Sequence, residues 1–145
     1  MRNLFLVSLA SIFIAGCSAS QPGPEPFYAS PVIAVASGDT ERYWVPETTR
    51  FTFKTRHFPS ASQPCSVVEV EYTIDSNGNT FDRQVLDAWP SAKFAEDSIR
   101  LISRQRYLPA EGNSDRTPIR TRVTHEMQMR DVDCDRIRAE AEGGT

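Results

Sequence analysis

From Ser66 to Asp75 the chain alternates, with Val68, Val70, Tyr72 and Ile74 on one side and Glu69, Glu71 and Thr73 on the other. A period of two over that length predicts a half-buried strand. Asp75-Ser76-Asn77-Gly78 follows, and its Asn-Gly step predicts a hairpin because both residues tolerate positive φ. The return strand is predicted from about Thr80 to Trp89 and stops at Pro90, which has no ladder donor. Ser91 is an N-cap for a helix predicted from about Ala92 to Arg106. Ala95, Ile99 and Ile102 recur at helical spacing, Phe94 and Ser98 fill out the stripe, and Glu96, Arg100 and Arg104 face away. Tyr107-Leu108-Pro109-Ala110 ends the helix, and a polar loop covers 111–115. The last strand is the cleanest. Thr121, Val123, His125, Met127 and Met129 share one face, and Arg120, Arg122, Thr124, Glu126, Gln128 and Arg130 share the other.

These elements predict an α+β domain with a three-stranded antiparallel sheet and one main helix on one face. A right-handed crossover lets the last strand add beside the first, so the expected sheet order is second, first, third. In that order the end of the third strand lies near the start of the first. Cys134 then comes close to Cys65, and a disulfide between them is expected.

The amino terminus carries a different pattern. Met1-Arg2-Asn3 precedes an apolar run from Leu4 to Ala15, and Gly16 stands directly before Cys17. A charged start, a short apolar core and small residues at a cut site form the layout of a secretory signal. Ile14-Ala15-Gly16-Cys17 resembles the lipobox of bacterial lipoproteins, in which the cysteine is acylated and the chain is cut just before it. The apolar run covers about 18 Å of helix, too little to cross a hydrocarbon core of roughly 30 Å. The expected organisation is a signal at 1–16, an acylated terminus and tether at 17–50, a domain at 51–134 and a flexible charged tail at 135–145. Within the tether, Tyr43-Trp44-Val45-Pro46 and Phe51-Thr52-Phe53 are too apolar for a plain linker. They fit either a strand or flap laid on the domain, or a disordered segment with scattered aromatics.

Charge narrows the partners. The full chain has 145 residues and a net charge of −3, and losing the leader removes Arg2 and no acid. Its arginines alternate with acids and form no basic block, which argues against nucleic acid. Of three cysteines, Cys17 serves the anchor, and the remaining two lie in an envelope compartment where disulfides persist.

With the elements placed, the stretch from His57 to about Met129 resembles the C-terminal domain of the TonB family. Phe58-Pro59 matches the aromatic-Pro pair before its first strand, and Asn77-Gly78 matches its turn. Pro90 and Phe94 match the close of its second strand and the opening of its helix. Tyr107-Leu108-Pro109-Ala110 matches its aromatic-x-Pro-small helix end. Several positions depart from the pattern. A lipoprotein leader replaces the transmembrane helix of energy-transducing members, Gln105 replaces a tryptophan, His125 stands at a usually apolar position, and the cysteine pair is extra. The resemblance implies that a partner strand pairs with the sheet edge, helped by residues before the aromatic-Pro pair. The partner-binding candidates are Thr55, Arg56, His57, Arg120, Arg122 and Thr124. The third-strand arginines also fit a simpler role as charged guards of an unpaired edge.

No catalytic, metal or cofactor pattern stands out. His125 lies in an apolar stripe, His57 in a loop, and Asp131, Asp133 and Asp135 lack the glycine and glutamate of a calcium loop. The expected function is a non-enzymatic, periplasm-facing lipoprotein, sorted to the outer membrane by Ser18 after the acylated cysteine, that binds a protein such as an outer-membrane receptor or transporter. The alternatives are a true energy transducer, a purely structural lipoprotein, and a homodimer paired through the open edge.

Overall fold

The computed structural model describes residues 24–49 and 59–143. Three long strands dominate it: β3 (Cys65–Ile74), β4 (Thr80–Trp89) and β6 (Ile119–Gln128), with helix α1 (Ala95–Arg104) between the second and third. Antiparallel β3 lies between β4 and β6, as the alternation predicts. Its register with β6 runs unbroken from Cys65 opposite Gln128 to Ile74 opposite Ile119. Val68, Val70, Tyr72 and Ile74 therefore face the helix together with His125, Val123, Thr121 and Ile119. Phe94 and Ile102 close this core from the helical side.

The expected three-stranded order is incomplete. The sheet has four strands, because β1 (Ile33–Ala34) pairs in parallel with the outer side of β6 at Ile119 and Arg120. A second, two-stranded sheet joins β2 (Trp44–Pro46) antiparallel to β5 (Tyr107–Pro109). The residues that end the helix are thus also a strand. None of these three short strands has a period of its own. Each exists because a distant segment supplies its hydrogen-bond partners.

The expected tether at 17–50 is corrected over its second half. Phe27 N–H donates to the Asp75 carboxylate at 3.1 Å, and Ala29 N–H donates to Ser76 Oγ at 2.9 Å. The Trp44 ring is 1% exposed, and its Nε1–H donates to the Thr117 carbonyl at 2.8 Å. Asn113 latches the same region, its side-chain amide donating to the Tyr43 carbonyl at 2.9 Å. Of the apolar segments at 43–53, the first is a strand laid on the domain, and Phe51 to Phe53 lie outside the described residues. The tail differs too. Residues Cys134–Gly143 form helix α2, supported by Arg136–Glu140 and Arg138–Glu142 ion pairs at i, i+4.

Two local features depart from expectation in detail. The helix opens with a 3-10 turn at Ala92–Phe94, and Ser91 Oγ accepts from Lys93 N–H at 3.3 Å. In the hairpin turn, 75–79, only Gly78 takes positive φ, at 80°. The buried Asp75 carboxylate organises the loop instead, accepting from the N–H groups of Asn77 at 3.0 Å and Asn79 at 2.8 Å.

Cys65 and Cys134 form a disulfide with their Cα atoms 5.6 Å apart. It ties the start of β3 to the first residue of α2, and Arg138 adds an ion pair to Asp87 on β4 at 2.8 Å. Reduction is expected to cost about 2–4 kcal/mol, lowering the melting midpoint by about 10 °C or more. Thermal melts with and without reductant check this, and identical midpoints would show that the bond holds nothing.

Candidate functional site

The candidate site is the outer edge of β6. Ile33 N–H donates to the Pro118 carbonyl at 3.2 Å, and Val35 N–H donates to the Arg120 carbonyl at 2.9 Å. Those two bonds set the phase of the strand. Because backbone groups alternate sides in a regular ladder, the N–H and C=O of Arg122, Thr124, Glu126 and Gln128 also point outward. Among the described residues, β1 is the strand paired there, and its register stops at Ala34 opposite Arg120. Among the described residues, the edge expected to be open is therefore paired in its first part, Thr40 of the following turn is bonded to Thr121 at 2.8 Å, and no strand is paired to the edge beyond.

Concavities flank this open stretch on both faces. On the face away from α1, a cleft of about 440 Å³ runs between residues 34–37 and the side chains of Glu69, Glu71, Arg120, Arg122 and Thr124. Arg122 Nε donates to Glu71 Oε2 at 3.2 Å, and its Nη1 lies 3.9 Å from Glu69 Oε1. Exposed pairs of this kind contribute about 0–1 kcal/mol, so they orient the guanidinium more than they stabilise the fold. On the helical face, a cavity of about 210 Å³ lies among Pro46, Tyr72, Leu101, Val123 and His125. A second, of about 230 Å³, lies among Asp97, Ser98, Leu101, His125 and Met127.

Arg120, Arg122 and Thr124 thus share one face at this edge. Thr55, Arg56, His57 and Cys17 lie outside the described residues. The site also includes Asp97, Ser98 and Leu101, which were not singled out as functional. A signal was present, since Ser98 is a polar residue inside the apolar helical stripe. Asp97 is buried beside it and pairs with Arg100, one turn along.

His125 is the titratable group at the centre of the helical face. Burial holds its imidazole below its ordinary value of 6.5, because a charged ring there loses hydration. The unfolded chain then binds the proton more readily than the folded one. Stability is expected to fall as pH drops below about 6.5 and to continue falling towards the lower folded value. Melting midpoints of the protein and of His125→Phe between pH 7.5 and 5 check this, with the smaller decline expected in the variant.

Outside the site, the overall arrangement can be set beside known structures. A solution NMR structure of the Pseudomonas aeruginosa TonB C-terminal domain superimposes with a TM-score of 0.53. The fold resembles a TonB C-terminal domain. The match covers 68% of this chain and 97% of that structure, at 18% sequence identity. At that identity the TonB C-terminal domain is a likeness of fold. No protein-family model matches the chain, and no curated protein matches it.

Proposed function

We propose that this chain is a periplasm-facing lipoprotein, anchored through Cys17, whose TonB C-terminal-like domain takes a strand from a protein partner along the outer edge of β6. The observation that carries the reading is the run of outward-pointing backbone groups from Arg122 to Gln128, lying between clefts on both faces. Unpaired backbone at a sheet edge supplies affinity to any extended peptide, and the flanking side chains supply choice. A likeness to a TonB C-terminal domain adds support for a protein-binding role in the envelope. An outer-membrane receptor or transporter is the partner this reading favours, and outer-membrane sorting follows from Ser18 after the acylated cysteine.

Photo-crosslinking in cells tests the edge. A photoreactive residue at Thr124 is expected to capture one envelope protein through an extended segment, whereas Leu86 on the opposite edge strand, β4, is not. Capture of a second copy of this chain would replace the adaptor with a homodimer, and no capture would leave a structural lipoprotein. The anchor is tested separately by Cys17→Ala, which should release the protein from the membrane fraction. Retention there would favour an energy transducer that keeps its leader as a membrane segment.

A further inference from the structure

The outer edge of β6 already holds a strand of this chain. Ile33 pairs with Ile119 and Ala34 with Arg120, and the Val35 N–H donates to the Arg120 carbonyl at 2.9 Å. Both residues of β1 are exposed, Ile33 by 36%, and within residues 33–37 only Val35 packs against the core. A strand so short and so little buried is held mainly by its backbone bonds. Each such bond favours the paired state about two- to tenfold.

The chain is fastened on both sides of β1. Before it, the Ala29 N–H is bonded to Ser76 Oγ, and after it Thr40 Oγ1 lies 2.8 Å from Thr121 Oγ1. Residues 30–36 can therefore leave the edge without loosening either tie. Room is present, since the cleft of about 440 Å³ lies between residues 34–37 and the side chains of Glu69, Arg120 and Arg122.

A partner strand and β1 compete for one set of backbone groups. The ladder of an added strand forms on the same side of β6, where alternate residues from Arg120 onwards point outward. A strand that extends past Arg122 towards Arg120 meets β1 and must replace it. The segment it replaces shows what this part of the edge accepts. Pro31 to Ser37 reads Pro-Val-Ile-Ala-Val-Ala-Ser and carries no charge.

We propose that β1 is a displaceable strap, and that the docking surface is the whole outer edge of β6, taken by an extended partner segment that is uncharged where it replaces residues 31–37. This inference rests on strand addition at β6. Without a partner, the strap pairs the backbone groups nearest the hairpin end and shortens the edge offered to unwanted strands. A segment as long as β6 gains that part of the ladder by releasing the strap.

The test uses the full chain in detergent micelles and a bead-displayed library of peptides ten residues long, the length of β6. Bound peptides should share an uncharged run. Thr124→Pro, which deletes one outward N–H from an edge strand that tolerates proline, should abolish their binding. Amide exchange followed residue by residue then distinguishes the two occupants. When a selected peptide is added, the Arg122 and Thr124 amides should slow, while those of Ile33 and Val35 should exchange about fivefold faster or more. Ile33→Pro removes the N–H bonded to the Pro118 carbonyl. It should tighten the same peptides about two- to tenfold by raising the share of chains with a free edge. A strand with only a structural role would lose stability in that variant and tighten nothing.

Peptides without the uncharged run, Ile33 and Val35 amides that keep their protection, or an affinity that Ile33→Pro leaves unchanged or weakens would overturn the strap while leaving strand addition intact. Bound peptides that leave the Arg122 and Thr124 amides unchanged, or that ignore Thr124→Pro, would overturn strand addition and the strap with it. Recovery of no peptide would do the same.

Discussion

Trp44→Ala is expected to destabilise the domain by about 3–5 kcal/mol, the range for truncating a fully buried large aromatic. Three losses combine at this position. The ring belongs to the core with Tyr72, Ile74 and Ile119, the Thr117 carbonyl loses the Nε1–H donor and keeps only the longer bond from the Asn113 amide at 3.5 Å, and β2 loses the side chain that holds it against the body. Chemical denaturation should show the loss as a lower midpoint. Hydrogen exchange should show residues 33–46 opening together with the sheet rather than before it. A drop under about 1 kcal/mol, within the ordinary range of surface substitutions, would mean that the segment before residue 50 is an appendage and not part of the fold.

Gly78→Ala is the second large effect. At φ 80° an L side chain already costs about 1–2 kcal/mol. The new Cβ would also overlap the Tyr107 carbonyl oxygen. Tyr107 cannot simply retreat, because its N–H donates to the Gly78 carbonyl at 2.9 Å and its hydroxyl is bonded to that of Tyr72 at 2.8 Å. Shifting β5 then pulls on β2, its only paired strand among the described residues. A total of about 2–4 kcal/mol is expected, read by denaturation. Trp44 Cζ3 would lie 3.4 Å from the same Cβ, so Trp44→Ala and Gly78→Ala should combine to less than the sum of their separate losses. Strict additivity would show that turn and ribbon are independent.

That neighbourhood also explains what sequence reasoning could and could not reach. The long strands and α1 carry their own periods, so Val68 to Ile74, Thr121 to Met127 and the Phe94–Ile102 stripe identify themselves. Strands of two or three residues have no period. Ile33 becomes a strand only because the Pro118 carbonyl accepts its N–H, and Tyr107 because Pro46 lies across from it. The pairing of Asn77 with Gly78 marks a turn correctly, yet the buried carboxylate of Asp75 decides its shape. In α2 the signal was present as Arg136–Glu140 and Arg138–Glu142, a charge spacing typical of helix that composition alone reads as a loose tail. The site divides the same way. Arg120, Arg122 and Thr124 follow from strand alternation, while the place of Ser98 and Leu101 beside His125 is recognisable only once α1 is set against β6.

The attachment of Phe27 and Ala29 to the hairpin loop has a geometric consequence for a lipid-anchored protein. With Cys17 in the membrane, as proposed, ten residue steps lead from the anchor to Phe27, a leash with a reach of at most about 33–36 Å. The leash meets the body at the Asp75–Ser76 end, where β6 begins and β1 caps its edge. The stretch from Arg122 to Gln128, whose outer side has no paired strand among the described residues, climbs away from that end, towards Pro64 and the disulfide. Under that proposal the domain stays within this reach of its bilayer, and the attachment lies at the capped end of the β6 edge. A partner strand that runs along β6 from the far end would then approach from the side away from the attachment point.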